Sequence, residues 1–327
     1  MSKKAPILFL CLTAVLALSG LTIHSLAESS HQEVSPMPEA TIVLAADPHY
    51  IAPSLTDHGA YFENMIENAD GKVTEYIEEL TDAFLAEVVQ CAPDALILSG
   101  DLSFNGARAS HEALAAKLEA VVAAGVPVLV IPGNHDLENA DAAMFRGDNF
   151  TRVDSVTAAE FAAIYGACGY GDALARDTAS LSYVYELSPR LRVLLLDVNG
   201  VETENTVPTE TLAWIEAQLQ AAAEAEAQVV AVSHQNLFRH NRVIYQNYVI
   251  DNADAILSLY ETYGVIANFS GHLHCQHIAV GESGFTDVAT SSLAVYPNQY
   301  GIAVLTAEDS SEHEHFGGTV VQYGTGG

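Results

Sequence analysis

The chain has 327 residues, 12 Lys and Arg against 42 Asp and Glu, and a formal charge of −30. That length holds one large or two modest domains with an ample core. The charge argues against a polyanionic partner, and no stretch clusters Lys and Arg as a nucleic-acid-binding face would.

Residues 1–27 read as a signal peptide. Lys3 and Lys4 form a basic start, Ile7 to Leu18 an apolar stretch, and Ser25-Leu26-Ala27 a small-residue cleavage site. The protein is therefore expected to be secreted or held at the cell surface. The alternative is a membrane tether formed by the same segment left uncleaved. Cys91, Cys168 and Cys275 would survive processing, which allows at most one disulfide and excludes a disulfide scaffold. Cys275 follows His274 directly and reads as a packing residue.

A polar leader, 28–40, precedes a strand predicted over Thr41 to Ala46, with Asp47 and His49 at its end. Residues 50–72 read as a loop insertion with a short helical turn. Val73 to Gln90 carries apolar residues at helical spacing. A buried strand at Ala95 to Leu98 runs into Gly100-Asp101. A helix opened by Ser110 and closed by Gly125 follows, then a strand over Val126 to Ile131 ending in Gly133-Asn134-His135-Asp136. This βαβαβ rhythm predicts a parallel sheet covered on both faces.

Residues 137–178 interrupt the rhythm and read as an insertion over the site, with a short helix near Ala158 to Tyr165. Leu181 to Leu187 and Val193 to Asp197 are expected to pair as a hairpin across Ser188-Pro189. A helix over Thr211 to Ala227, a strand over Val229 to Ser233 ending at His234, and a helix over Asp254 to Tyr263 follow. Val265 to Phe269 leads into Gly271-His272-Leu273-His274. Short strands near Ile278 to Val280, Thr286 to Ala289 and Gly301 to Thr306 are expected to finish the second sheet. The main domain is thus placed at 41–308. The tail, 309–327, is a solvated end or the start of a truncated further domain, and its Glu312-His313-Glu314-His315 run reads as solvated.

The residues that carry chemistry stand at strand ends, where ligands of open α/β sheets bind. Asp47 and His49 are two apart on extended chain, as are His272 and His274, so each pair can point one way. Carboxylate, imidazole and amide oxygen together suit two divalent transition metals sharing one carboxylate. Glycines beside these residues are expected to let backbone and phosphate approach. His240 competes with His234 as a ligand, but the strand before His234 favours His234.

The ordered set Asp47-x-His49, Gly100-Asp101, Gly133-Asn134-His135-Asp136, His234, Gly271-His272-x-His274 resembles the calcineurin-like metallophosphoesterase family. The resemblance implies an α/β fold of four layers, α/β/β/α: two mixed sheets flanked by helices, with two metals (Mn, Fe or Zn) between the sheets. It implies Asp47, His49, Asp101 and His274 on the first metal. It implies Asp101, Asn134, His234 and His272 on the second, with Asp101 bridging. His135 matches the histidine that contacts phosphate and assists the leaving group, and Asp136 would orient it. A metal-bridging hydroxide is the implied nucleophile.

Purple acid phosphatases have a tyrosine three residues after the Gly-Asp aspartate, where this chain has Phe104. The chain more closely resembles secreted Gram-positive phosphodiesterases of the cyclic-nucleotide branch, in Ala46 to Tyr50, Asn105-Gly106, Ser110 to Glu112 and Ile164 to Gly166. The expected activity is hydrolysis of cyclic nucleotides or similar small phosphodiesters. The alternatives are a secreted phosphomonoesterase or nucleotidase, and a metal-binding module without catalysis. Asn105, Arg108, His111, Arg239 and His240 are candidates for the substrate rim, with Tyr50 and Arg146 beside them. The expected partner is a small phosphodiester, with no membrane anchor once the signal is cleaved; the sequence leaves the oligomeric state open.

Overall fold

The computed structural model describes residues 39–200, 205–243, 245–306 and, as backbone, 320–325. The signal-peptide segment, most of the polar leader and the Glu312 to His315 run lie outside the described residues. None of the helices among the described residues is long and apolar enough to cross a membrane.

The first sheet is built on three parallel strands: β1 (Ala40–Ala45), β2 (Ala95–Ser99) and β3 (Val128–Ile131). All are short and almost wholly buried, which is why their sequences are continuous apolar runs rather than alternating ones. Helices α2 (Ile77–Cys91) and α3 (Arg108–Ala123) connect them, and α1 (Ala60–Glu67) precedes α2. The helix predicted to open at Ser110 starts two residues earlier. Ser110 is buried inside it, and its hydroxyl accepts the N–H of Ala52 rather than capping the helix.

Residues 137–178 hold a hairpin of β4 (Ala143–Arg146) and β5 (Asn149–Arg152), helix α4 (Ala158–Ile164) and the two-residue strand β6 (Ala175–Arg176). Thr157 and Glu160 form a reciprocal capping box that fixes the start of α4. The two insertions meet: Tyr61 on α1 lies 6.0 Å from the Phe145 ring and 5.2 Å from the Phe150 ring.

The second sheet runs β11-β12-β10-β9-β8-β7-β6, with β7 (Tyr183–Ser188), β8 (Leu191–Leu196), β9 (Gln228–Ser233), β10 (Asn268–Ser270), β11 (His277–Val280) and β12 (Thr286–Ala289). The hairpin across Ser188-Pro189 is present as β7 and β8. Helices α5 (Thr209–Glu224) and α6 (Ala253–Tyr263) pack on its outer face through Ile215, Leu219, Ile256 and Tyr260. Its inner face shares one core with the first sheet. Tyr183 crosses between them, its hydroxyl donating to Val130 O at 3.0 Å and accepting from Val130 N at 3.1 Å.

One expectation is corrected. The strand near Gly301, β13 (Gln299–Leu305), does not finish the second sheet but pairs antiparallel with β1 in the first. Without it β1 would be an open edge. β14 (Val320–Thr325) pairs antiparallel with β13 in turn. The result is the expected α/β sandwich of two mixed sheets flanked by helices.

Candidate metal centre

All seven residues singled out as ligands converge between the two sheets. His49 Nε2 lies 3.1 Å from His274 Nε2 and 3.8 Å from Asp101 Oδ2, and His274 Nε2 lies 3.5 Å from Asp47 Oδ1. On the other side His234 Nε2 lies 3.4 Å from Asp101 Oδ1 and 3.1 Å from Asn134 Oδ1. The donor atoms fall into two groups, Asp47-His49-Asp101-His274 and Asp101-His234-His272, each within 4.8 Å. Asp101 belongs to both, one carboxylate oxygen facing each.

The chemistry of this donor set fits cations. Metal–ligand bonds of about 2.0–2.2 Å meeting at tetrahedral or octahedral angles put neighbouring donors about 3.0–3.5 Å apart. The closest spacings here are of that size. His234 Nδ1 donates to Ser99 O at 2.8 Å, so Nε2 is the lone-pair nitrogen turned to the centre. His272 Nε2 lies 3.1 Å from Asn247 O, which assigns the proton to Nε2 and leaves Nδ1 free to bind. Burial by itself would lower the pKa of His234, but the Asp101 carboxylate overrides it and pushes the imidazole up to about 9. A positive charge is thus wanted at this spot, and a metal ion supplies it without the proton. Burial holds His49 well below the usual imidazole range, and burial with the nearby His234 holds His272 at about 4, so both are lone-pair donors at neutral pH.

The backbone is unusual at these positions. Asp47, His49, Asp101, His272 and His274 all have positive φ, between 42° and 65°. A single left-handed non-glycine residue costs about 1–2 kcal/mol, and such residues gather at functional sites. These conformations turn the chain sharply off each strand end and aim the side chains inward. The neighbouring glycines serve the same packing. A Cβ on Gly133 would stand 2.2 Å from Asp101 Oδ1, and one on Gly100 would stand 2.5 Å from His234 Nδ1. The space they leave is filled by the ligands themselves, not held open for phosphate as the sequence suggested.

His135 sits at the edge of the centre. Its backbone N–H donates to Asp101 Oδ1 at 2.9 Å, and its Nε2 lies 3.9 Å from Asp101 Oδ2. Its Nδ1 donates to Phe104 O at 3.0 Å, which fixes the ring. Asp136 does not orient His135 by contact. Its buried carboxylate accepts four hydrogen bonds, from Leu102 N, Ser103 N, Ser103 Oγ and Gly133 N. It locks the loop that carries Phe104, and so acts on His135 at one remove.

Most of the predicted rim residues are engaged by other groups of the chain. Arg108 is tied to Glu160 at 2.5 Å, joining α3 to α4. His111 is fully buried between Tyr165 Oη and Asp136 O, both at 3.1 Å. Both nitrogens of His240 are committed, Nε2 to Asp287 and Nδ1 to His277, which leaves His234 as the ligand candidate of the two. Tyr50 is buried and donates to Glu78, and Arg146 donates to the carbonyls of Phe145 and Ser54. Arg239 is exposed, its guanidinium 3.9 Å from the Tyr245 ring centroid. Asn105 does line a cavity beside His135.

The residue that sequence reasoning missed is Lys72. It lines the same cavity, and its charge reaches His49. A signal was there: Lys72 is the only Lys or Arg between Lys4 and Arg108, placed directly after the Asp70-Gly71 turn.

The profile of the calcineurin-like phosphoesterase family matches residues 40–276, and the chain belongs to that family. Its members bind divalent metals, and the cluster around Asp101 is the candidate site for two of them. A dimetal phosphatase from Danio rerio shares the fold at 16% identity and a TM-score of 0.60, over 90% of this chain and all of that one. A purple acid phosphatase from yellow lupin (Lupinus luteus) seeds is similar at 13% identity and a TM-score of 0.50, over 83% of this chain and 50% of that one. Functionally curated proteins gave no match.

Proposed function

We propose that this protein is a metal-dependent phosphodiesterase acting on cyclic nucleotides or similar small diesters. The observation that carries the hydrolase reading is Asp101, whose two oxygens face two separate donor groups. In this reading Asp47, His49, Asp101 and His274 hold one ion, and Asp101, Asn134, His234 and His272 hold the other. When bound, two such ions supply Lewis-acid neutralisation of the phosphoryl oxygens and an acidified water.

The chain's own residues do the rest. His234 and His272 present lone pairs because their other nitrogens are bonded to Ser99 O and Asn247 O. Phe104 O holds the His135 ring so that Nε2 faces the centre, where it donates a proton to the leaving oxygen. Asp136 keeps that carbonyl in place by clamping Leu102 and Ser103.

The preference for diesters rests on charge. Arg108 and Arg152 are paired with Glu160 and Asp141, and Lys72 is the cavity's cation with no ion pair among the described residues. One cation suits the single charge of a diester better than the double charge of a monoester. The likeness to the secreted Gram-positive cyclic-nucleotide branch favours the same substrates and, with the Lys3-Lys4 and Ile7 to Leu18 pattern, an extracytoplasmic location. A phosphomonoesterase is the competing reading, and its doubly charged substrate would call for more cationic side chains than Lys72 alone.

The test is hydrolysis of bis(p-nitrophenyl) phosphate, p-nitrophenyl phosphate, and 2′,3′- and 3′,5′-cyclic nucleotides with added Mn²⁺. The expected result is diester hydrolysis that chelation abolishes and Mn²⁺ restores. Full activity in metal-stripped protein rejects the reading, and a consistent preference for the monoester selects the alternative.

A further inference from the structure

Beside His135 lies a cavity of about 370 Å³ that none of the ligand residues explains. Its volume falls within the range of small-molecule sites, about 300–1,000 Å³. Four aromatic side chains line it: Tyr61, Phe104, Phe145 and Phe150. Tyr61 and Phe150 are 37% and 42% exposed, although their rings lie only 5.2 Å apart. Both rings line the cavity that His135 also lines, so their exposed surface belongs to one shared apolar wall rather than to scattered single residues.

The polar groups of the cavity are arranged unevenly. Arg152 is neutralised by Asp141 at 2.8 Å and packs over Phe150. Asn105 is buried, its Nδ2 donating to Asp141 O and Ala143 O, and its Oδ1 has no partner. Lys72 has no carboxylate partner among the described residues, in a chain where acids outnumber bases 42 to 12. An unpaired ammonium, an open aromatic pair and His135 thus share one cavity.

We propose that this cavity is the subsite for the ester group facing His135, that it takes an aromatic ring against the exposed surfaces of Tyr61 and Phe150, and that Lys72 binds an anionic oxygen of the same substrate. The substrate class is then an aryl or nucleobase-bearing phosphoester. The proposal rests on the phosphoesterase reading above and adds to it the group recognised. Neither element of the site was built by the metal-binding motifs. Tyr61 comes from the first insertion and Phe145 and Phe150 from the second, and their rings meet at the cavity.

The experiment is isothermal titration of the Mn²⁺-loaded full chain with benzylphosphonate and with ethylphosphonate, neither of which can be hydrolysed. Benzylphosphonate is expected to bind at least about tenfold more tightly, since stacking and ring burial add to a shared phosphonate contact. Tyr61→Ala and Phe150→Ala should each bring the ratio of the two dissociation constants below about threefold. Lys72→Met should weaken both ligands about tenfold, the loss of one charge-assisted contact. Phe150 lies on β5, whose residues are all exposed, so Phe150→Ala carries the test if Tyr61→Ala fails to fold.

Equal affinities in the parent, no binding of either phosphonate, or a ratio retained in Phe150→Ala overturns the subsite. Unchanged affinities in Lys72→Met overturn the role of Lys72. A ring preference that depends on Phe150, in protein that hydrolyses no phosphoester, keeps the subsite and rejects the hydrolase. Hydrolysis without a ring preference does the reverse.

Discussion

His135 is bound to Asp101 by its backbone and faces it with its ring: the His135 N–H donates to Asp101 Oδ1 at 2.9 Å, and Nε2 stands 3.9 Å from Oδ2. The residue proposed as the acid is therefore positioned by the carboxylate proposed to bridge the metals. A shift of one moves the other. His135→Ala keeps the backbone N–H and removes only the ring. It is expected to retain bound metal but lose rate, with a larger loss for alkoxide than for nitrophenolate leaving groups, because a good leaving group needs little protonation. Metal analysis and leaving-group series on parent and variant check this. An equal loss across leaving groups would mean that the ring positions phosphate instead.

Asp101→Ala removes a donor from both groups at once. It also removes the acceptor of the His135 N–H. It is expected to deplete metal more than Asp47→Ala or His274→Ala, each of which touches one group. Elemental analysis after dialysis decides it, and two tightly held ions in Asp101→Ala would contradict the bridging position.

The site was far more legible in the sequence than its surroundings. Asp, Asn, His and Gly at the ends of apolar runs mark ligands because strand ends are where an α/β sheet gathers side chains. What the linear sequence does not carry is which residues are already used. Arg108 and His111 looked free, yet a salt bridge to Glu160 and a buried contact to Tyr165 consume them. The positive φ of five ligand positions is only faintly marked in sequence: Asp and His adopt the left-handed region more readily than most residues, but the great majority of them lie outside it. The strand near Gly301 was misplaced because a short apolar run says nothing of which open edge it will cover. The wall of the cavity needed two insertions, about 80 residues apart, to be seen together.

Asp136 tests the distinction between touching and positioning. Its carboxylate is fully buried and accepts four hydrogen bonds from the loop before Phe104 and from Gly133. Asp136→Asn places an amide among donors and should cost about 2–4 kcal/mol in chemical denaturation. It should also lower kcat with little change in KM, through loss of the Phe104 contact to His135. Parent-like stability would show that the carboxylate is not the clamp described.

His111 predicts a pH dependence of stability. Burial lowers its pKa from the ordinary 6.5, with Asp136 opposing only in part. The unfolded chain therefore binds this proton more readily than the folded one. Its contribution is complete above the unfolded pKa and is lost as pH falls below it towards the folded value. The parent should lose more stability between about pH 7 and about pH 5 than His111→Asn does. Paired denaturation curves at each pH isolate the difference, because the other histidines are common to both proteins. Parallel pH profiles would refute it.

The final prediction concerns the approach of substrate. The chain carries a formal −30, and a phosphodiester is an anion, so the far field opposes encounter. The attractive groups act at short range: the metal centre at Asp101, and Lys72 beside it. The Debye length falls from about 30 Å at 0.01 M salt to about 10 Å at 0.1 M, which screens the distant repulsion more than contacts of a few ångströms. Inert salt over that range should therefore raise kcat/KM for an anionic diester modestly and leave kcat nearly constant. The arginines whose pull would reverse this sign by steering substrate inward are engaged elsewhere, Arg108 on Glu160 and Arg146 on backbone carbonyls. Arg239 is exposed but stacked on Tyr245. A clear fall of kcat/KM with salt would show that local focusing by Lys72 and the metals outweighs the net charge. Repeating the series in Lys72→Met would then separate the two, since only the lysine's share disappears.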